Sequence, residues 1–159
     1  MSKSGSILEL RRIEAAILKD VFDTVEERHG YEEAEKIVAA AVKKSAIAQG
    51  KSMRALSGKE EGQNPNFQDF AELMPLWEMD GALEIEMGHL SDDRLEFNIT
   101  RCKYSEMYKE MGLGKIGHLL SCNRDGAFCI GYNPDMKFTR TQTIMQGADH
   151  CDFRYKMKK

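Results

Sequence analysis

The stretch Ser121 to Gly126 reads SCNRDG and places a thiol, Cys122, three residues from a carboxylate, Asp125, across what Gly126 marks as a tight turn. A thiolate is a strong nucleophile, and a nearby carboxylate can carry a proton to or from the bond being broken. Each residue also has a plainer reading: Cys122 as a small buried side chain, Asp125 as a turn aspartate. A second concentration of chemistry lies in RTQTIMQGADHCDFRY, Arg140 to Tyr155. Arg140 shares strand parity with Phe138 and Ile144, so it falls on an apolar face and needs a partner. Either an internal carboxylate or a ligand carboxylate held bidentately would serve.

Other residues join these as candidates. Cys151 shares parity with Phe153, Tyr155 and Met157 and is core or pocket floor. Asp152 falls on the other face, where it orients a neighbour or is solvated. Thr139, Thr141 and Thr143 form the face opposite Arg140, suited to hydrogen bonding a ligand or to plain strand propensity. Cys102 opens a helix, where the positive end of the dipole would lower a thiol pKa. Cys129 has no motif behind it and reads as structural. His89 ends the alternating face of Leu83, Ile85 and Met87, and His150 precedes Cys151; each is a base, a ligand or a structural residue. Zinc held by Cys122, Cys151 and a histidine stays open, although the spacing matches no familiar signature. The site therefore reads as Cys122, Asp125 and Cys151 for catalysis, with Arg140, Thr141, Thr143, Asp152, Cys102 and His89 for substrate binding, and with no metal or cofactor.

These groups must be positioned by an α+β fold in which N-terminal helices pack on a C-terminal antiparallel sheet of about four or five strands. Leu10, Ile13, Ile17, Leu18, Val21, Phe22 and Val25 have helical spacing, and the His29-Gly30 pair supplies a stop. A second helix starts at Tyr31 and either ends at Gly50 or continues past it to Met53 and Leu56. After a polar loop over residues 57–64, Asn64 as cap and Pro65 as first helical residue predict a short third helix that ends near Pro75. Beyond Trp77 the period changes to two: Leu83, Ile85, Met87 and then Leu95, Phe97, Ile99 make a hairpin around SDD. Residues 102–122 return to helix in two pieces broken near Gly112 or Gly114. AFCIGY and MKFTRTQTIM read as two strands joined by an NPD turn, and CDFRYKM as the last strand. Gly147 should occupy a turn. The whole, residues 1–159, reads as one domain, mainly helical over 1–80 and sheet with an intervening helical segment over 81–159.

At 159 residues, with 42% hydrophobic and 31% charged residues, the chain has the composition of an ordinary globular protein. No apolar run approaches the roughly eighteen residues of a membrane span, and no export signal opens the sequence, so a cytoplasmic location is expected. A net charge of -3 argues against nucleic acid as the main partner. The four cysteines lie apart, without CxxC, and read as reduced thiols. The expected partner is a small-molecule substrate, with neither nucleic acid nor membrane, and a homo-oligomer is left open.

Three blocks, FNITRCKYSEMYKEMGL, LLSCNRDGAFCIGYNP and FTRTQTIMQGADHCDFRY, spanning Phe97 to Tyr155, resemble the L-2-amino-thiazoline-4-carboxylic acid hydrolase family of small bacterial proteins. The resemblance implies hydrolytic opening of a cyclic isothiourea or amidine that bears a carboxylate. On that reading Arg140 holds the carboxylate, Cys122 or an activated water attacks the amidine carbon, Asp125 shuttles the proton and Cys151 completes the pocket. The sequence is also similar to small-molecule-binding domains of the 4-vinyl reductase type, through TRC and GADHCDF. The alternative is accordingly a non-catalytic binding or sensing domain. A binding module has no need for an acid close to a thiol, whereas the hydrolase does, and Arg140, Cys151, Cys122 and Asp125 are expected to converge on one pocket.

Overall fold

A computed structural model describes residues 5–159. Two long antiparallel helices lead, α1 (Ile7–His29) and α2 (Tyr31–Leu56), and Gly30 at φ 88° makes the sharp turn between them. Gly50 does not end α2. It lies buried inside the helix, where α2 crosses the later helix α6 (Arg124–Tyr132). A Cβ on Gly50 would overlap the Phe128 carbonyl oxygen, and one on Gly131 would overlap the Ile47 carbonyl oxygen. Each helix thus uses a glycine to let the other's backbone touch its own.

The apolar stripe predicted for α1 is largely on the wrong side. Leu10, Ile13, Ile17 and Val21 are exposed, while Ile7, Ala15 and Phe22 are buried together with a charged residue, Arg11. Helical spacing identifies the helix, but two apolar stripes are available on it and only packing chooses between them.

Helix α3 (Phe67–Leu73) is capped by Asn66 and not by Asn64. Asn66 Oδ1 accepts from the Asp69 amide at 3.1 Å and Asp69 Oδ2 accepts from the Asn66 amide at 2.8 Å. This reciprocal box needs an acceptor at the third helical position, and Asp69 provides it. Pro75 opens a further short helix, α4 (Pro75–Glu78), at a position where its missing N–H is harmless.

The sheet has four antiparallel strands in the order β1-β2-β4-β3: β1 (Leu83–Leu90), β2 (Arg94–Cys102), β3 (Met136–Thr139) and β4 (Cys151–Met157). Its inner face carries Leu95, Phe97 and Ile99 from β2 beside Tyr155, Phe153 and Cys151 from β4, each paired directly with its neighbour in that order. Between β2 and β3 run α5 (Lys103–Glu110), a π-helical turn (His118–Cys122) and α6. AFCIGY is therefore helical, inside α6. Ala127, Phe128, Cys129, Gly131 and Tyr132 are all buried in it, and a short run apolar on all sides carries no period that separates strand from helix. The second predicted strand is shortened as well: β3 ends at Thr139, and Thr143 caps a 3-10 turn at Ile144–Gln146 closed by Gly147 at φ 105°. Among the described residues no helix is long and apolar enough to cross a membrane.

Candidate functional site

Between the inner face of the sheet and the helices lies a cavity of about 110 Å³, lined by Cys102, Cys122, Asp125, Arg140 and Cys151 among others. A single buried water needs only about 10–15 Å³, so this space is of the size that takes a small organic molecule.

Asp125 stands in the first turn of α6, not in an isolated tight turn. Asn123 ties that helix start to α2 by donating from Nδ2 to the Ala39 carbonyl at 3.2 Å. Arg140, just past the end of β3, donates to Asp125 Oδ2 at 2.5 Å and to the Cys122 carbonyl at 2.9 Å. Its guanidinium carbon sits 5.1 Å and 5.0 Å from the ring centres of Phe138 and Phe153. The apolar face expected for Arg140 is present, although Ile144 is no longer part of a strand. Of the two partners open to it, the internal carboxylate is in place. Burial pushes the Asp125 carboxyl up from its ordinary range, and the Arg140 guanidinium opposes that rise.

The thiols are held protonated. Burial pushes Cys122 up to about 12, with the Asp125 charge adding to the effect and Arg140 opposing it. Cys102 caps α5, where the helix end was expected to lower its pKa; burial instead pushes it up to about 11, outweighing the backbone N–H groups of Ser105 and Tyr104. Cys151 is raised by burial too, and its Sγ accepts from the Ile144 amide at 3.2 Å. Cys129 is buried in α6 and donates to the Asp125 carbonyl at 3.6 Å.

Four of the expected binding residues do not line the cavity. Asp152 Oδ1 accepts from the Thr141 and Gln142 amides at 2.9 and 3.0 Å and its Oδ2 from the Thr141 hydroxyl at 2.6 Å. Slight burial raises this carboxyl, but those donors hold it below its usual range. Asp152 and Thr141 thus clamp the loop after β3 onto β4, and Thr143 accepts from the Gln146 amide at 3.2 Å as a cap. His89 lies near the β1–β2 turn, 3.2 Å from Ser91 Oγ, and a register shift between Met87 and His89 removes it from the alternating face. His150 contacts Asp149 and Gln142. Among the described residues no three histidine, cysteine or acidic side chains are grouped so as to hold a metal ion.

The cavity also contains groups that the sequence did not reveal. Arg11 and Arg124, both buried, contribute to its lining with Gln49, Ser105, Tyr108 and Ser121. Arg11 lies off the apolar stripe that the spacing on α1 points to. Arg124 stands inside NRDG, where a charged residue beside Asp125 at a helix start is the visible signal.

The family model described as L-2-amino-thiazoline-4-carboxylic acid hydrolase matches residues 10–155. No curated protein matches the sequence. Among solved structures the fold is similar to the phenol-responsive sensory domain of the transcription activator PoxR with phenol, at TM-score 0.56 and 12% identity, covering 92% of this chain and 74% of that one. It is also similar to a trafficking protein particle complex subunit 3 from Naegleria fowleri covalently bound to palmitic acid, at TM-score 0.55 and 11% identity, covering 94% and 95%.

Proposed function

The chain belongs to the L-2-amino-thiazoline-4-carboxylic acid hydrolase family, and from that premise we propose a hydrolase that opens a small carboxylate-bearing cyclic amidine or isothiourea. L-2-amino-thiazoline-4-carboxylate is the reference substrate. The observation that supports the reading is the Asp125–Arg140 pair on the wall of a largely apolar cavity. A carboxyl raised by burial is a better proton acceptor than an ordinary one, and a fixed guanidinium keeps it aimed.

The protonation of the thiols favours water over Cys122 as the nucleophile. A thiol titrating at about 12 is ionised to roughly one part in 10⁵ at pH 7. In the proposed step Asp125 takes a proton from water as the oxygen bonds to the amidine carbon. The tetrahedral adduct then collapses with cleavage of a ring bond from that carbon, and Asp125 returns the proton to the departing nitrogen or sulfur. Arg140 positions Asp125 throughout, and Cys102, Cys122 and Cys151 shape the cavity.

The test is incubation with 2-amino-thiazoline-4-carboxylate and a panel of cyclic amidines, with products followed by mass spectrometry. A ring-opened product gaining one water is expected, and Asp125→Asn should lower turnover by about 100-fold or more. Absence of product from every ring would overturn the hydrolytic reading. A binding or sensing role is the second reading, supported by the apolar lining that Phe70, Trp77, Phe97 and Phe128 give the cavity. The fold shared with a phenol-responsive sensory domain is in keeping with it. Saturable binding without turnover would select it.

A further inference from the structure

The helical wall of the cavity holds an unbalanced charge. Arg11 donates to both oxygens of Glu14 at 3.0 Å and to Gln49 Oε1 at 3.0 Å. Arg124 donates to the same Gln49 oxygen at 3.0 Å and to Ser45 Oγ at 3.5 Å, and has no carboxylate among the described residues. One neutral carbonyl oxygen therefore bridges two buried guanidiniums. Arg140 is matched by Asp125 and Arg11 by Glu14, which leaves Arg124 as the unmatched cation of the lining. Burial, with Arg11 adding repulsion, lowers Arg124 to about 10, so it is still charged at neutral pH.

Three buried polar atoms on this wall have no hydrogen-bond partner: Arg124 Nε, Ser105 Oγ and Tyr108 Oη. Their residues are 7%, 2% and 1% exposed, and all three line the cavity. Ser121 is near enough to Tyr108 to moderate the rise that burial gives its phenol, yet makes no well-formed hydrogen bond to it. Buried donors are rarely left unused, and a buried cation without a counterion is destabilising. Such a set is accounted for when a ligand supplies the acceptors.

We propose that Arg124, Ser105 and Tyr108, backed by Arg11 and Gln49, form an anion subsite that receives the carboxylate of the ligand. The Asp125–Arg140 pair is then free to act at the ring. This rests on the reading that the cavity takes a small organic molecule, but not on turnover. It also moves the carboxylate-binding role from Arg140, whose guanidinium is already engaged, to Arg124 at the start of α6, the element that precedes β3.

The test uses two probe pairs that differ only in the acidic group: 2-amino-thiazoline-4-carboxylate against 2-amino-thiazoline, and benzoate against benzyl alcohol. Titration calorimetry on the full chain should give a Kd at least about tenfold lower for the carboxylate member of a pair, a preference that weakens with salt. Arg124→Gln should bring the ratio near one while the neutral probe binds as before. Because it removes a lone buried charge, it should leave the Tm of the free protein unchanged or raised. Tyr108→Phe, a milder change, should reduce carboxylate binding several-fold and leave the neutral probe alone. Equal affinity for both members in the wild type, equal losses for both in Arg124→Gln, or no binding of any probe would overturn the subsite. A preserved preference without ring opening would leave the subsite standing and refute only the hydrolase.

Discussion

Replacing Arg140 by leucine removes the counterion of Asp125 and leaves that carboxylate unpaired in the cavity wall. The Arg140 side chain is 13% exposed and that of Asp125 is 32% exposed. The loss therefore lies below the 3–5 kcal/mol of a fully buried broken pair, at about 2–3 kcal/mol. Loss of the two guanidinium–ring contacts adds about 1 kcal/mol. With a urea m-value of about 2 kcal/mol/M for a domain of this size, the midpoint should fall by about 1.5–2 M. The sign of the pH dependence follows from Asp125. Its folded pKa is raised by burial, so its contribution is fully present below the unfolded aspartate value and is lost as pH rises through the folded one. Without Arg140 the folded value climbs further, and the Arg140→Leu protein should lose stability more steeply than wild type as pH rises from about 4. Combined with Asp125→Asn, the defect should shrink, with a coupling of about 1–2 kcal/mol between the two sites. Urea titrations of the four proteins of the cycle measure it. Additivity within about 0.5 kcal/mol, or a pH slope no different from wild type, would refute the view that these residues act as one partly buried pair.

Gly131→Ala should destabilise the fold by about 3 kcal/mol or more, because its Cβ would strike the Ile47 carbonyl. Gly114→Ala, which meets nothing nearer than Lys109 Cγ at 3.9 Å, should be close to neutral in the same thermal melts. Asn66→Ala should lower stability by about 1 kcal/mol through loss of the α3 capping box, read as a fall in Tm. Native Cys122 should react with iodoacetamide far more slowly at pH 7.5 than it does in urea, since burial keeps it a thiol; mass spectrometry of the labelled peptides checks this. Cys122→Ala should retain most of the turnover under the water mechanism, and its abolition would restore the thiol as nucleophile.

The parts of the fold legible in the sequence are those where a local rule acts alone. β2 and β4 bury alternate residues and β1 half-buries Leu83 and Ile85 before its alternation fails at the exposed Met87, so a period of two identified them, and Gly30 and Gly147 mark turns that need positive φ. AFCIGY was not legible because a helix sandwiched between α2 and the sheet is apolar on every side, and its glycine, Gly131, serves helix contact instead of a strand or turn. Knowing that Gly50 and Gly131 face one another would have settled both elements at once, but that pairing joins residues far apart in the sequence and leaves no local trace.

The candidate site follows the same division. Cys122, Asp125, Arg140, Cys151 and Cys102 all reach the cavity, since inward direction is a local property of a strand or a helix start. What a side chain meets there is not local. Asp152, Thr141 and Thr143 suit polar chemistry, yet Asp152 on β4 and Thr141 in the loop after β3 bond each other, and Thr143 accepts from the Gln146 amide of its own turn. Arg11 shows the converse. On α1 four large apolar residues face solvent while an arginine is buried, an arrangement that helical hydrophobicity alone forbids and that the Gln49 and Glu14 acceptors beside the cavity explain. The residue that breaks the amphipathic rule is the one that reaches the site, and the same logic separates Arg124 from the surface arginines. A buried cation persists where the energy recovered on filling the cavity exceeds the stability it removes from the empty fold.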